Sequence, residues 1–299
     1  MLMITLNGIF PPLPTAFDKN ENLLTTKMVD NISHLNQFDL AGFLLLGSNG
    51  ELVMLTEKEK IKVYKDCRKA IPTSKLMIAG TGGQSTLETI MLTKAAGDAG
   101  ADAALVLNPF YYKGLMTTEA LKKHYFAVAD ASNIPVIIYN MPGNSGLDMG
   151  AEAIAKFAEH PNIIGLKDSG GNLTKMADIK RMVSPDFQIL AGSAGFLFPA
   201  LSIGAIGGIL ASANIAPQEC INIYKYFNTG EHEKALALQL KMIPVNTAVT
   251  SGMGIPALKV AMDFLGLYGG DSRKPIQPLD EKQKLFIEQL MTNNEINHF

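Results

Sequence analysis

Short apolar runs alternate with amphipathic helical stretches through the first 230 residues, and this rhythm constrains the fold more than any other feature of the chain. Apolar runs of roughly 4–8 residues separated by stretches of 3.6-residue periodicity are the pattern of repeated βα units, whose parallel strands are covered on both faces. Eight strands are predicted: Gly8–Phe17, Gly42–Gly47, Leu76–Thr81, Ala103–Asn108, Pro135–Asn140, Ile163–Asp168, Phe187–Gly192 and Gly207–Ser212. Helix starts are readable between them, with Thr56/Glu59 and Ser85/Glu88 as capping boxes and Thr25 and Thr118 as further caps. Eight strands with eight crossovers close into a (β/α)8 TIM barrel, an α/β fold of about 250 residues. No glycine-rich dinucleotide fingerprint follows the first strand, which argues against an open doubly wound sheet. After Ala216 the pattern is helical only, over Pro217–Asn228, Glu231–Thr250, Ile255–Leu265 and Asp280–Asn293. Residues 1–230 are therefore read as the barrel and residues 231–299 as a C-terminal helical extension packed on it, since no Pro/Ser/Gly-rich linker separates them.

A net charge of −2 with dispersed lysines leaves no basic footprint, so nucleic acid is not expected as a partner. Phe187 to Gln218 carries no charge, but Pro199, Gly204, Gly207 and Gly208 interrupt it. Two buried strands around a short helix explain that stretch better than a membrane span, and no membrane association is expected. The apolar start, Met1 to Phe17, lacks the basic residues of a secretory or transit signal. Two cysteines far apart, Cys67 and Cys220, read as reduced core thiols of a cytoplasmic protein.

In such a barrel the chemistry lies at the C-terminal ends of the strands. Those ends read Gly47-Ser48-Asn49-Gly50-Glu51, Asn108 to Tyr112, Tyr139-Asn140-Met141-Pro142, Lys167-Asp168-Ser169 and Gly192-Ser193-Ala194-Gly195. Lys167 closes an apolar strand instead of riding on a helix face, which suits Schiff-base formation. An ordinary ammonium, with a pKa near 10.4, is neutral in only about one part in a few thousand at pH 7, so apolar walls must favour the amine. The competing reading is a lysine that snorkels outward or pairs with Asp168. Tyr139, at the adjacent strand end, suits a general acid/base. None of His34, His124, His160, His232 and His298 falls at a strand end, and neither cysteine does, which disfavours a metal site. The chemistry expected is cofactor-free, through a covalent lysine. Arginine is also scarce at the mouth, so an anionic substrate would be held by hydroxyls and by the amides of the Gly-Ser-Asn-Gly turn.

Taken together, Gly47–Glu51, Tyr111-Tyr112, Tyr139–Pro142 and Gly165–Lys167 resemble the motifs of the dihydrodipicolinate synthase/N-acetylneuraminate lyase family of class I aldolases, over essentially the whole chain. Pro142-Gly143-Asn144-Ser145-Gly146 stands where dihydrodipicolinate synthases usually carry an arginine for their second substrate. The remaining motifs, Leu190 to Phe196 and Gly254 to Lys259 among them, are similar to those of 4-hydroxy-2-oxoglutarate aldolases. The resemblance implies catalysis by Lys167, Tyr139, Ser48 and Tyr111, with Tyr111 reaching a neighbouring subunit's site, while packing is an equal reading for Tyr112. It implies small-molecule 2-oxo acid and aldehyde substrates and a homotetramer built as a dimer of dimers. Asn49 and the amides around it are the candidates for the C1 carboxylate and Asn144 and Ser169 for the distal end, with Ser48, Gly192 and Ser193 as further contacts. Glu51 reads as a structural carboxylate. Dihydrodipicolinate synthase, N-acetylneuraminate lyase, a 2-keto-3-deoxy sugar-acid aldolase and a catalytically silent pyruvate-binding scaffold remain the alternatives.

Overall fold

The computed structural model describes residues 4–296, so His298 lies outside the described residues. Strands β1 (Gly8–Phe10), β2 (Gly42–Leu45), β3 (Leu76–Gly80), β4 (Ala103–Leu107), β5 (Val136–Asn140), β6 (Ile163–Asp168), β7 (Gln188–Ala191) and β8 (Gly207–Ile209) form one parallel sheet. Their order is β1-β8-β7-β6-β5-β4-β3-β2. A bridge between Pro12 and Leu44, with Leu44 N–H donating to Pro11 O (3.0 Å) and Leu13 N–H to Leu44 O (2.9 Å), draws β1 against β2. The sheet thereby curls into a nearly closed barrel with helices between its strands, the TIM architecture expected. Strand β1 stops at Phe10, well short of Phe17, because Pro11, Pro12 and Pro14 lack the N–H groups that a ladder needs.

Alternate residues of each strand feed two separate cores, as a two-residue period requires. Leu44, Ile78, Leu105, Ile137, Leu190 and Ile209 fill the barrel interior. Leu45, Ala79, Val106, Ile138, Leu166 and Ile189 face outward into the helical layer. The alternation breaks once at the β5–β6 pair. Val136 aligns with Ile163, but Ile137 aligns with Gly165, so β6 holds one extra residue. That insertion brings Tyr139 opposite Lys167 and Asn140 opposite Asp168. Without it, Lys167 would fall on the outer face with Leu166's present neighbours, since a one-residue slip exchanges the faces of a strand.

Helix starts follow local chemistry. Thr56 and Glu59 make the reciprocal capping box expected. Ser85 accepts from Glu88 N–H, while the Glu88 carboxylate reaches the Gln84 N–H instead. The other two caps are displaced. Thr117, one residue before Thr118, accepts from Ala120 N–H (3.2 Å), and Thr25 is the first helical residue, its hydroxyl donating to Asp66 (2.8 Å). The uncharged stretch from Phe187 resolves into β7, a short helix Leu197–Ser202 and β8. No helix among the described residues is long and apolar enough to cross a membrane.

The helices His232–Thr247 and Gly254–Phe264 lie against the segments that follow β7 and β8, and Glu281–Asn293 lies against those two helices. Gln239 donates to Ala194 O (2.7 Å), and Asn246 donates to Ser193 (3.1 Å) and accepts from Ser212 (3.0 Å). Arg273 forms a fork on Glu59, with contacts of 2.9 and 2.7 Å, and stacks 4.3 Å from the centre of the Phe17 ring. The guanidinium bonds hold the Glu59 carboxyl at about 2, against an ordinary 4.5, although partial burial opposes the shift. A folded-state value below the unfolded one contributes stability that is present above pH 4.5 and lost as pH falls through 2. Arg273→Met should therefore cost about 2 kcal/mol at pH 7, the shift being discounted for partial exposure. In thermal denaturation, the difference from wild type should narrow steadily between pH 4.5 and pH 2; a gap independent of pH would contradict this assignment.

Candidate active site

Strand alternation separates two neighbours that the sequence leaves as possible partners. Lys167 points into the barrel, 3% exposed, with Nζ 4.2 Å from the centre of the Tyr139 ring. Asp168 takes the opposite face and is fully buried. Its carboxylate accepts from Asn140 Nδ2 (2.9 Å) and Gly170 N–H (2.8 Å) and pairs with Lys175 at 3.0 Å. Lys175 also bonds Asp148, which Asn140 Nδ2 reaches at 2.8 Å. Asp168 is thus committed to Lys175, and among the described residues no carboxylate ion-pairs with Lys167. The Lys167 amine instead faces the Tyr139 ring and hydroxyl.

The Tyr139 hydroxyl is buried 3.2 Å from Ser48 Oγ. Burial pushes its acidity down, yet the phenol sits below its ordinary value of 10.0, because the Lys167 charge and hydrogen bonds from Ser48, Ser169 and Lys167 outweigh desolvation. A phenol made easier to ionise in a dry site can take and return a proton. Ser48 reaches it from a tight turn, in which Gly50 N–H donates to Gly47 O (3.0 Å) and Glu51 N–H to Ser48 O (3.1 Å). Gly50 is needed there, since a Cβ would come within 2.8 Å of the Leu46 backbone.

A cavity of about 350 Å³ opens at this end of the barrel, and Ser48, Tyr139 and Asn144 line it with Leu52, Phe110 and Ile255. Lys167, Asn49, Ser169, Gly192 and Ser193 are not in its wall. Asn49 is half-buried in the Ser48 turn, and Asn144 is exposed on the short helix Pro142–Ser145. The Ser169 hydroxyl lies between Tyr139 and Gly192, donating to Gly192 O at 3.4 Å. Gly192 leaves room for it, because a Cβ would sit 2.0 Å from Ser169 Oγ. The Ser193 hydroxyl accepts from Asn246 and Gly195 N–H, partners that a substrate would have to displace. Tyr111 stands apart, three-quarters exposed, with its ring edge-on to Tyr112 and its N–H on Gln84. Four of the five histidines are described and none reaches the site. His124 pairs with Thr86, and burial lowers its pKa to about 4.

Sequence reasoning missed Lys175, Asp148 and Asn246. The first two come from loops and helices beyond the strand ends, and only Asn140, next to Tyr139, hinted at a polar network behind the site. Asn246 arrives from the C-terminal helices, a placement that no local pattern reveals. Among the described residues, no three His, Cys, Asp or Glu side chains gather as a metal-binding group.

The chain matches the profile of the Dihydrodipicolinate synthetase family over residues 5–294. It is 37% identical to a protein of Emericella nidulans named probable 4-hydroxy-2-oxoglutarate aldolase, mitochondrial, over 97% of this chain and 95% of that one. To the 4-hydroxy-tetrahydrodipicolinate synthase of Methanospirillum hungatei it is 33% identical, over 95% and 98% of the two chains. Among solved structures, YagE of E. coli K12 in complex with pyruvate superposes with a TM-score of 0.92 at 28% identity, covering 98% of this chain and 100% of that one. With both sequence and fold matched from end to end, the chain belongs to the dihydrodipicolinate synthetase family, among relatives named as aldolases and synthases.

Proposed function

We propose that this protein is a metal-independent, pyruvate-dependent aldolase that cleaves or forms a 4-hydroxy-2-oxo acid through a Schiff base on Lys167. The observation that carries the reading is Lys167 buried against the Tyr139 ring with no carboxylate partner among the described residues, beside a Tyr139–Ser48 hydroxyl pair. Lys167 Nζ attacks the C2 ketone and water leaves, giving a protonated imine. Tyr139, linked to Ser48, takes the C4 hydroxyl proton as the C3–C4 bond breaks, and the bonding electrons pass to the imine nitrogen to form an enamine. The aldehyde departs, the proton returns to C3, and water hydrolyses the imine to release pyruvate and the free lysine. Every proton and electron pair is accounted for by these groups, so neither a metal nor an organic cofactor is required.

The leading substrate is 4-hydroxy-2-oxoglutarate, yielding pyruvate and glyoxylate. Support comes from the name of the Emericella nidulans relative and from Asn144 at the position where an arginine would serve a dihydrodipicolinate synthase. The second reading is 4-hydroxy-tetrahydrodipicolinate synthase, favoured by the names of several relatives at 30–33% identity. Asn49, Ser169, Gly192 and Ser193 are assigned to substrate binding with Ser48 and Asn144, and Tyr111 to a neighbouring subunit's site in a homotetramer. The exposure of Tyr111 supports that assignment. Residues 231–299 act as a helical cap on the barrel of residues 1–230. Two buried free thiols suit a reducing compartment such as the cytoplasm.

Borohydride with pyruvate should attach a reduced adduct to wild type and not to Lys167→Ala; a label on another lysine would end the proposal. Tyr139→Phe should lower kcat about 10²-fold or more while keeping the fold, and near wild-type turnover would remove Tyr139 from the mechanism. Assayed side by side with pyruvate, glyoxylate should outpace aspartate semialdehyde and N-acetylmannosamine. Mixed Ser48→Ala and Tyr111→Phe subunits should recover activity that neither has alone; no recovery after verified subunit exchange would confine the site to one chain.

A further inference from the structure

The turn carrying Ser48 is bounded by two non-glycine residues in the left-handed region, Leu46 at φ 55° and Glu51 at φ 54°. Side chains other than glycine, asparagine and aspartate seldom adopt this conformation, so something outside the turn must hold it. One hold is Thr15, whose hydroxyl donates to Gly50 O at 2.6 Å. The other is a fully buried ion pair that the mechanism does not use. Glu51 Oε1 lies 2.7 Å from Lys259 Nζ, with both side chains at most 1% exposed. Glu51 Oε2 accepts from Arg273 N–H at 2.8 Å. Lys259 in turn donates to Asp271 O (2.8 Å) and lies 5.0 Å over the Phe17 ring.

A buried pair of this kind adds little to stability compared with well-packed apolar residues, because removing two charges from water offsets their attraction. What it supplies is direction. Glu51 N–H bonds Ser48 O, so the residue clamped by Lys259 is bonded to the backbone of the residue that faces Tyr139. We propose that Lys259, acting through Glu51, is the positioning group for Ser48. It ties the turn to the helix Gly254–Phe264 and to the segment 271–273, and so keeps Ser48 Oγ within reach of the Tyr139 hydroxyl. The far C-terminal part of the chain thereby acts on proton transfer without touching substrate. The inference rests on the assignment of Lys167 and Tyr139 to imine formation and proton transfer.

Exchange of the pyruvate methyl protons in D2O, followed by NMR, isolates that step because it needs no aldehyde. Glu51→Gln and the paired Glu51→Gln/Lys259→Met, which leaves no unpaired charge should a single variant misfold, are compared with Ser48→Ala. The expected result is exchange slowed about 10-fold or more in each, with borohydride trapping of pyruvate at the wild-type level. Adding Ser48→Ala to either variant should slow exchange no further, as for groups acting as one unit. Wild-type exchange in a folded Glu51 variant, or losses that multiply with Ser48→Ala, would overturn the positioning role. Exchange at the wild-type rate in Lys167→Ala would instead remove the Schiff-base reading beneath it, and the two failures are told apart by that control.

Discussion

The extra residue in β6 is the constraint on which the site depends. Among the paired strands, only β5–β6 shifts register, between Val136/Ile163 and Ile137/Gly165. With it, Lys167 turns inward opposite Tyr139, and Asp168 turns outward opposite Asn140. Gly165 makes this possible, because a Cβ there would lie 2.4 Å from Gln188 O on the next strand. One irregularity therefore chooses which lysine enters the barrel and which carboxylate is turned away from it.

The arrangement works by distributing carboxylates unequally among buried amines. Lys60 meets Glu88, Lys175 holds Asp168 and Asp148, and Lys259 holds Glu51. Lys167 faces an aromatic ring and hydroxyls instead. The other pairs form a polar frame: Asn140, Asp148 and Lys175 brace the ends of β5 and β6, while Glu51 and Lys259 brace the turn that presents Ser48. The proposed catalytic groups are thus flanked by paired charges.

Much of this was legible before any coordinates. Apolar runs bounded by turn residues placed β6 at Ile163–Asp168, and polar residues at strand ends singled out Lys167, Tyr139 and Ser48. What the pattern did not reveal has physical reasons. Ile163 and Ile164 are both apolar, so the extra residue leaves no mark on hydropathy, and only the structure shows that Lys167 and Asp168 part company. Three prolines end β1 seven residues early, a local veto on pairing that the apolar count overlooks. Asn246 and Lys259 reach this end of the barrel from helices distant in sequence, and Lys175 from the helix that follows β6, where tertiary packing alone decides what they touch. The family resemblance carried Tyr111, which in a single chain lies on the surface.

The central claim is that Lys167, and no other lysine, forms the covalent bond to substrate. A crystal structure of the wild-type protein soaked with pyruvate tests it most directly. The account predicts continuous density from Lys167 Nζ to pyruvate C2, with the Tyr139 and Ser48 hydroxyls beside the new imine. Pyruvate bound without a covalent link at full occupancy, or joined to Lys175 or another amine, would contradict it.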